Sequence, residues 1–125
     1  MVEISKGNIL IGNELFYPNY SFDQFKKSKF YINQDGVRQI KLNGIQQIWE
    51  HYFIVNLIFR KNKLYSISLY CVDDKSLFDE KLLKQKHDKI LNQLGLKELT
   101  RFDWGYIESY YEQNSASSII GIYYK

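Results

Sequence analysis

Residues 102–124 contain two strand-like arms joined by a polar segment. The first arm is Phe102-Asp103-Trp104-Gly105-Tyr106-Ile107-Glu108-Ser109-Tyr110-Tyr111, the polar segment is Gln113-Asn114-Ser115, and the second arm is Ser118-Ile119-Ile120-Gly121-Ile122-Tyr123-Tyr124. Both arms are rich in β-branched and aromatic residues, which suit strands, and a short polar break separates them. The pattern therefore predicts a β-hairpin. Alternation along the first arm puts every second side chain on one face, and that face carries Trp104, Tyr106, Glu108 and Tyr110.

Further strands are predicted upstream, the clearest over 52–60 and 63–71 with a turn at Lys61-Asn62. Their alternation predicts a core face made of two sets of side chains. Asn43-Gly44 predicts a second hairpin, because both positions of a type I′ turn need positive φ. Residues 2–5 and 8–11 predict an opening hairpin, and 30–32 a short strand. The two sets on the predicted core face are Phe53, Val55, Leu57, Phe59 and Tyr65, Ile67, Leu69, Cys71.

Two helices are predicted between these strands. Ser21 followed by Gln24 is typical of a capping box and predicts a short helix to about Ser28, and Ser76 with Asp79 predicts the start of a long helix ending before Gly95. We expect an α+β fold over residues 1–125 as one domain: a mainly antiparallel β-sheet with the long helix packed on one face and the short helix near the N-terminus. The apolar stripe of the long helix is Leu83, His87, Ile90, Leu91 and Leu94.

Composition limits the classes of partner. The chain has 125 residues, 17% of them aromatic, and its net charge of +3 is spread along the sequence, which gives no indication of nucleic-acid binding. The longest apolar stretches are far shorter than the roughly 20 residues that span a bilayer, so we expect no membrane association. A single cysteine and an opening segment, 1–7, without the apolar run of a signal peptide predict cytoplasmic residence.

No residues make a convincing catalytic or metal site. His87 is expected to be a packed, hydrogen-bonded helix histidine, and Cys71 a small core residue rather than a nucleophile. His51 has no neighbouring ligand at metal-site spacing. The carboxylates between the last central strand and the long helix are expected to serve a turn and a helix start. We therefore predict no catalytic residue, no metal and no cofactor. Those carboxylates are Asp73, Asp74, Asp79 and Glu80.

The aromatic face of the first arm is the candidate partner-binding site. If the long helix packs on the opposite side, this face is open, and aromatic groups beside a charge are typical contact anchors. Trp49 is a candidate addition to the same site. The alternative is that the N-terminal hairpin and the first helix cover this face.

The pattern Phe102-Asp103-Trp104-Gly105-x-Ile107-Glu108-Ser109-Tyr110-Tyr111, followed by Ser117-Ser118-Ile119-Ile120 and a terminal tyrosine, resembles immunity proteins of contact-dependent growth inhibition and related polymorphic-toxin systems in bacteria. The resemblance implies a cytosolic, non-enzymatic inhibitor that binds a cognate toxin protein and blocks its active site or its access to substrate. It carries over no catalytic residues. Many inhibitors of nucleases present an acidic face, and this chain departs from that pattern because it is slightly basic.

Two other hypotheses stay open. The helix and a curved sheet would enclose a tyrosine-lined pocket with His87 or Cys71 if the chain bound a small molecule or were an enzyme. The open sheet face or a sheet edge would alternatively pair with a second copy in a homodimer.

Overall fold

The computed structural model describes residues 4–73 and 79–125. The fold is α+β and mainly antiparallel, with one long helix on one face of the sheet and a short helix near the N-terminus, which confirms the predicted class. A 3₁₀ turn over Ile4–Lys6 precedes the first strand. The elements are β1 (Ile9–Ile11), β2 (Glu14–Phe16), α1 (Phe22–Phe25), β3 (Gln39–Lys41), β4 (Gln46–Ile48), β5 (His51–Arg60), β6 (Lys63–Cys71), α2 (Glu80–Gln93), β7 (Leu99–Phe102), β8 (Gly105–Glu112) and β9 (Ser117–Tyr124).

The main sheet has seven strands in the order β3-β5-β6-β9-β8-β7, with β4 also paired to β5, and every pairing is antiparallel. The predicted hairpin of residues 102–124 is confirmed as β8 and β9, which pair from Gly105↔Tyr124 to Glu112↔Ser117. The strand β7 was not separated from β8 in the prediction. Asp103 and Trp104 form a turn between these two strands, so neither belongs to β8.

The central hairpin β5–β6 is also confirmed, with its turn at Lys61-Asn62, where both residues have positive φ. Its predicted core face needs one correction. The register shifts between Ile58 and Phe59, so that Phe59 pairs with Leu64 and Tyr65 is the extra residue of a bulge. Leu64 is therefore buried in the core in place of Tyr65.

The predicted hairpin turn at Asn43-Gly44 is wrong. The strands β3 and β4 both pair with β5, end to end along one edge, and only Gly44 has positive φ. The tight turn lies instead at Trp49-Glu50, between Ile48 and its partner His51, and both turn residues have positive φ. The pairing of both short strands with β5 outweighs the local preference of Asn-Gly for a hairpin turn.

Other N-terminal predictions are shifted or partly supported. The opening hairpin is β1–β2, one segment later than predicted, and its partner segment 2–5 lies partly outside the described residues. Residues 30–32 form no strand. The Ser21 side chain accepts the Gln24 backbone N–H at 3.0 Å, so α1 starts as predicted, although it ends at Phe25.

The long helix begins later than predicted. Asp79 has an extended backbone and caps α2 by accepting the Lys81 backbone N–H at 2.8 Å, so it is not the third helical residue that the predicted capping box required. Ser76 and Asp74 lie outside the described residues. Gly95 follows the helix with φ +78, as predicted for a C-terminal glycine. Over residues 4–73 and 79–125, neither helix is long and apolar enough to cross a membrane.

All the packing elements lie on one side of the main sheet, which we call the inner face. The side chains of α2 cover the β6, β8 and β9 region, where Leu83, Ile90 and Leu91 are buried. The hairpin β1–β2 and α1 cover the β5 end, where Phe25 and Phe59 pack with ring centroids 5.5 Å apart. The opposite side of the sheet is the outer face, and no described element packs on it.

Candidate functional site

The outer face carries three of the five predicted contact residues. Tyr106, Glu108 and Tyr110 point outward from β8, while Ile107 and Ser109 point into the core. The hairpin β1–β2 and α1, which the alternative placed over this face, lie on the inner face instead. Register extends the outer face across the neighbouring strands to Ile119, Gly121 and Tyr123 of β9, Ser66, Ser68 and Tyr70 of β6, and Ile54, Asn56 and Ile58 of β5.

Two tyrosines form the centre of this surface. Tyr106 and Tyr123 are cross-strand partners whose rings stack with centroids 4.7 Å apart and planes at 22°. The Tyr123 ring lies directly over Gly121, where an added Cβ would come within 2.5 Å of it. Glycine at this position therefore leaves the space that the ring occupies.

Arginines extend the stack at both ends. The Arg60 guanidinium lies 3.8 Å from the ring centroid of Tyr65, a spacing typical of a cation–π contact, and the Arg101 guanidinium lies 6.0 Å from the centroid of Tyr106. Burial first, and then the hydroxyl of Tyr106, the Glu108 carboxylate and the hydroxyl of Tyr65, raise the pKa of Tyr123. These five residues form what we call the arginine–tyrosine row: Arg101, Tyr106, Tyr123, Tyr65 and Arg60.

The other end of the outer face on β8 is acidic. The Tyr110 hydroxyl donates to Glu112 at 2.8 Å, and the Asn114 backbone N–H donates to the same carboxylate at 3.0 Å. The Asn114 bond first, and then the bond from Tyr110, lower the pKa of Glu112. Tyr110 is 40% exposed and held by this bond, so the strand presents an oriented ring beside a carboxylate.

Trp104 does not share this face, which corrects the predicted alternation. It lies in the β7–β8 turn, its ring is 5.3 Å from that of the buried Tyr124, and its indole N–H donates to the Ser5 carbonyl at 3.0 Å. Gly7, with φ +79, passes so close that an added Cβ would be 2.8 Å from the indole. Trp104 therefore anchors the N-terminal segment to the edge of the core.

Trp49 also lies away from the outer face. Its ring packs edge-on against the core residue Phe53, with centroids 6.2 Å apart. Trp49 and Glu50 border a cleft of about 520 Å³ between the β4–β5 turn and the end of α2. The other lining residues are His51, Ile90, Gln93 and Leu94.

A hydrogen-bonded histidine forms the polar wall of this cleft. His51 Nδ1–H donates to Asp73 at 2.5 Å, and His51 Nε2 lies 3.0 Å from the side-chain oxygen of Gln93. Lys86 approaches Asp73 to 3.4 Å, and the Tyr52 backbone N–H donates to it at 2.6 Å. Burial alone would raise the pKa of Asp73, but the bonds from His51 and Tyr52 and the nearby charges lower it.

The Trp49-Glu50 turn is strained, since φ is 53° at Trp49 and 66° at Glu50 and neither residue is glycine. We expect Glu50→Gly to raise the free energy of unfolding by about 1 kcal/mol, because glycine adopts this conformation without a Cβ clash. Urea unfolding monitored by circular dichroism measures the change. Glu98→Gly, at an exposed residue without positive φ, is the control and should not stabilise; equal effects would refute the strain.

The other sequence candidates are in the interior. His87 is fully buried and accepts the Cys71 backbone N–H at Nε2, 3.1 Å away, which confirms the packed histidine. Cys71 is buried, and burial raises the pKa of its thiol, which suits a core residue better than a nucleophile. Neither residue lines the cleft, and the cleft lining contains no tyrosine. Within the described ranges, His, Cys, Asp and Glu side chains form no group of three that could hold a metal ion.

Sequence reasoning missed Tyr123, Tyr65 and the two arginines of the row. Tyr123 was visible as part of the hairpin, and its register partner Tyr106 could have been found by counting back from the turn. The bulge that turns Tyr65 outward leaves no comparable signal in the sequence.

No protein-family model, curated protein or solved structure matches this chain.

Proposed function

We propose that the protein is a non-enzymatic binding module whose outer face contacts a partner protein. The observation that carries the proposal is the arginine–tyrosine row, which lies on a sheet face that no described element covers. Tyrosine and arginine are the residue types that dominate binding energy at protein interfaces. A pre-arranged stack also loses little conformational entropy when it is buried.

The size of the face suits one partner protein. Six strand positions span the sheet. With roughly 4.8 Å between strands and strands roughly 25 Å long, the face covers on the order of 700 Å². A standard interface buries roughly 800 Å² on each side.

The geometry of the row favours a protein over single-stranded nucleic acid. Bases bind by stacking on exposed aromatic faces. Here the Tyr106 and Tyr123 faces pack against each other, and the faces of Tyr65 and Tyr106 are occupied by arginines. The surface presents ring edges, hydroxyl groups and guanidinium groups, which suit protein carbonyls and carboxylates.

The cognate partner that we propose is a bacterial toxin domain, which the protein neutralises in the cytoplasm. This identity rests on the resemblance of residues 102–124 to immunity proteins of contact-dependent growth inhibition. Tyr106, Glu108 and Tyr110 belong to the proposed contact surface. Trp104 and Trp49 do not, because both pack on the inner side of the sheet.

The test of partner identity is co-expression of this chain with the product of the gene immediately upstream in its host. Suppressed toxicity together with recovery of one stoichiometric complex would support the proposal. Persistent toxicity together with no complex would contradict the toxin assignment.

Light scattering of the protein alone tests the homodimer hypothesis, because a second copy on the same face would double the mass.

The test of the surface uses Gly121→Ala, which removes no side chain of the row. The new methyl group would meet the Tyr123 ring at 2.5 Å and displace it from Tyr106, while the backbone conformation at residue 121 tolerates alanine. We expect partner affinity to fall about tenfold to a hundredfold, as for loss of an interface hot spot. Titration calorimetry on the purified complex measures the change.

Matched controls separate binding from folding. Arg60→Ala should weaken binding to a similar extent, whereas Lys89→Ala, which removes an exposed cation of α2 on the inner side of the sheet, should not. Among the tyrosines, Tyr123→Ala should weaken binding, and Tyr17→Ala, at an exposed tyrosine beside Tyr20, is the control that should not. If Gly121→Ala and Arg60→Ala bind normally, the outer face is not the contact surface.

A further inference from the structure

We propose that the cleft beside the Trp49-Glu50 turn is a binding site for a guanidinium or alkylammonium group on an apolar stem. This site lies on the inner side of the sheet, away from the arginine–tyrosine row, so the inference goes beyond the proposed function and does not depend on it. Its volume of about 520 Å³ is within the range of small-ligand pockets.

The charge balance around the cleft favours a cation. The Asp73 carboxylate is paired on two sides, by His51 and by Lys86. The Glu50 carboxylate, at the mouth, has no hydrogen bond or ion pair within residues 4–73 and 79–125. An incoming cation would therefore meet one carboxylate that no described group neutralises.

The walls suit the stem of such a ligand. Ile90 is buried and Leu94 half-buried beneath the cleft, and both are apolar. The half-buried Trp49 indole supplies an aromatic surface, the type to which guanidinium and ammonium groups are attracted. Its N–H forms no hydrogen bond to a described residue, in contrast to that of Trp104.

The backbone of the β4–β5 turn positions the Trp49 indole and the Glu50 carboxylate. Both residues have positive φ, as in the two-residue turn at Lys61-Asn62, so the pairing of β4 with β5 sets the direction of both side chains. The neighbouring wall is also ordered, because Asp73 accepts hydrogen bonds from His51 and from the Tyr52 backbone N–H. The cleft is thus formed before any ligand enters it.

The experiment is an NMR titration of the full chain with butylguanidinium, followed at the two tryptophan indole N–H resonances. We expect the Trp49 signal to shift on addition, while the Trp104 signal, fixed to Ser5, stays in place. Pentanamide has the same stem and a neutral planar head, and should bind at least tenfold more weakly. Equal binding of the two probes, or equal shifts of both indole signals, would overturn the proposal.

A variant tests the role of Glu50. Glu50→Gln should weaken butylguanidinium binding about tenfold, because the exposed side chain keeps its shape and loses its charge. Asp103→Asn, at another exposed carboxylate in the β7–β8 turn, should have no effect. Unchanged affinity in Glu50→Gln would refute the site.

A capped Gly-Arg-Gly peptide distinguishes the two sources of the cation. Tighter binding of the peptide than of butylguanidinium would identify the ligand as an arginine side chain of a protein. Tighter binding of butylguanidinium would identify a free organic cation. Absence of binding by both probes would overturn the proposal.

Discussion

Gly105→Ala is expected to lower the free energy of unfolding by about 3 kcal/mol or more. Gly105 starts β8 with φ +153, and a Cβ there would lie 1.8 Å from the Tyr123 carbonyl oxygen. The oxygen belongs to the β9 backbone, and the β8 backbone fixes the position of the Cβ. Neither can move without breaking the β8–β9 ladder, so the clash cannot be relieved by a change of rotamer.

Equilibrium urea unfolding measures this loss, and Gly44→Ala is its control. Gly44 also has positive φ, at +81, but an added Cβ would meet nothing within 4 Å. Its expected cost is therefore about 1 kcal/mol, from the backbone conformation alone. Similar losses in both variants would show that strand pairing at residue 105 is looser than the structure indicates.

The parts of the fold that sequence reasoning predicted correctly depend on local signals. The β8–β9 hairpin has two aromatic, β-branched arms around a polar turn, and in β5–β6 the apolar alternation of β5 leads into the turn at Lys61-Asn62. The cap of α1 depends on Ser21 and a residue three positions later. Each of these signals is contained in a few consecutive residues.

The failures come from contacts between distant segments. Asn43-Gly44 has the composition of a hairpin turn, but β3 and β4 align on β5 and the reversal moves to Trp49-Glu50. Alternation placed Trp104 with Tyr106, whereas a bond to Ser5, 99 residues away, draws its indole to the other side. Local patterns carry no information about either partner.

The candidate site shows the same division. Tyr106, Glu108 and Tyr110 share one strand, so the period of two places them together without knowledge of the sheet. The arginine–tyrosine row runs across five strands, and its members meet only because the order β5-β6-β9-β8-β7 and the bulge at Tyr65 bring them together. A site of that kind requires strand order, which sequence spacing alone does not supply.

The stability of the protein is expected to depend on pH, because His87 is buried. Pairing of β6 with β9 ends at Leu69↔Ile120, and beyond that point the His87 side chain of α2 bridges the two strands. Its Nε2 accepts the Cys71 N–H, so the proton is on Nδ1, which donates to the Ser118 hydroxyl at 3.0 Å. Glu80 completes the bridge by accepting the Ser118 backbone N–H at 2.9 Å. The neutral imidazole is the form that satisfies both partners.

Burial lowers the pKa of His87 from 6.5 to about 4; the Asp88 charge raises it by less, and the Lys84 charge lowers it further. As the pH falls below 6.5, the unfolded chain binds a proton that the folded chain excludes, so stability decreases until about pH 4 and then levels off with respect to this group. The His87 contribution to this loss is about 3 kcal/mol, at roughly 1.4 kcal/mol for each pH unit of the difference.

His87→Gln isolates that contribution. Glutamine has a side-chain oxygen to accept the Cys71 N–H and does not titrate, so the variant should be less stable than the parent at pH 7 and should approach or exceed its stability near pH 4. Urea unfolding at closely spaced pH values measures both curves, and carboxylates common to the two proteins cancel in their difference. A difference that stays constant between pH 4 and 6.5 would mean that His87 takes up a proton at Nε2 inside the fold, which would require the Cys71 N–H to give up its bond to the ring.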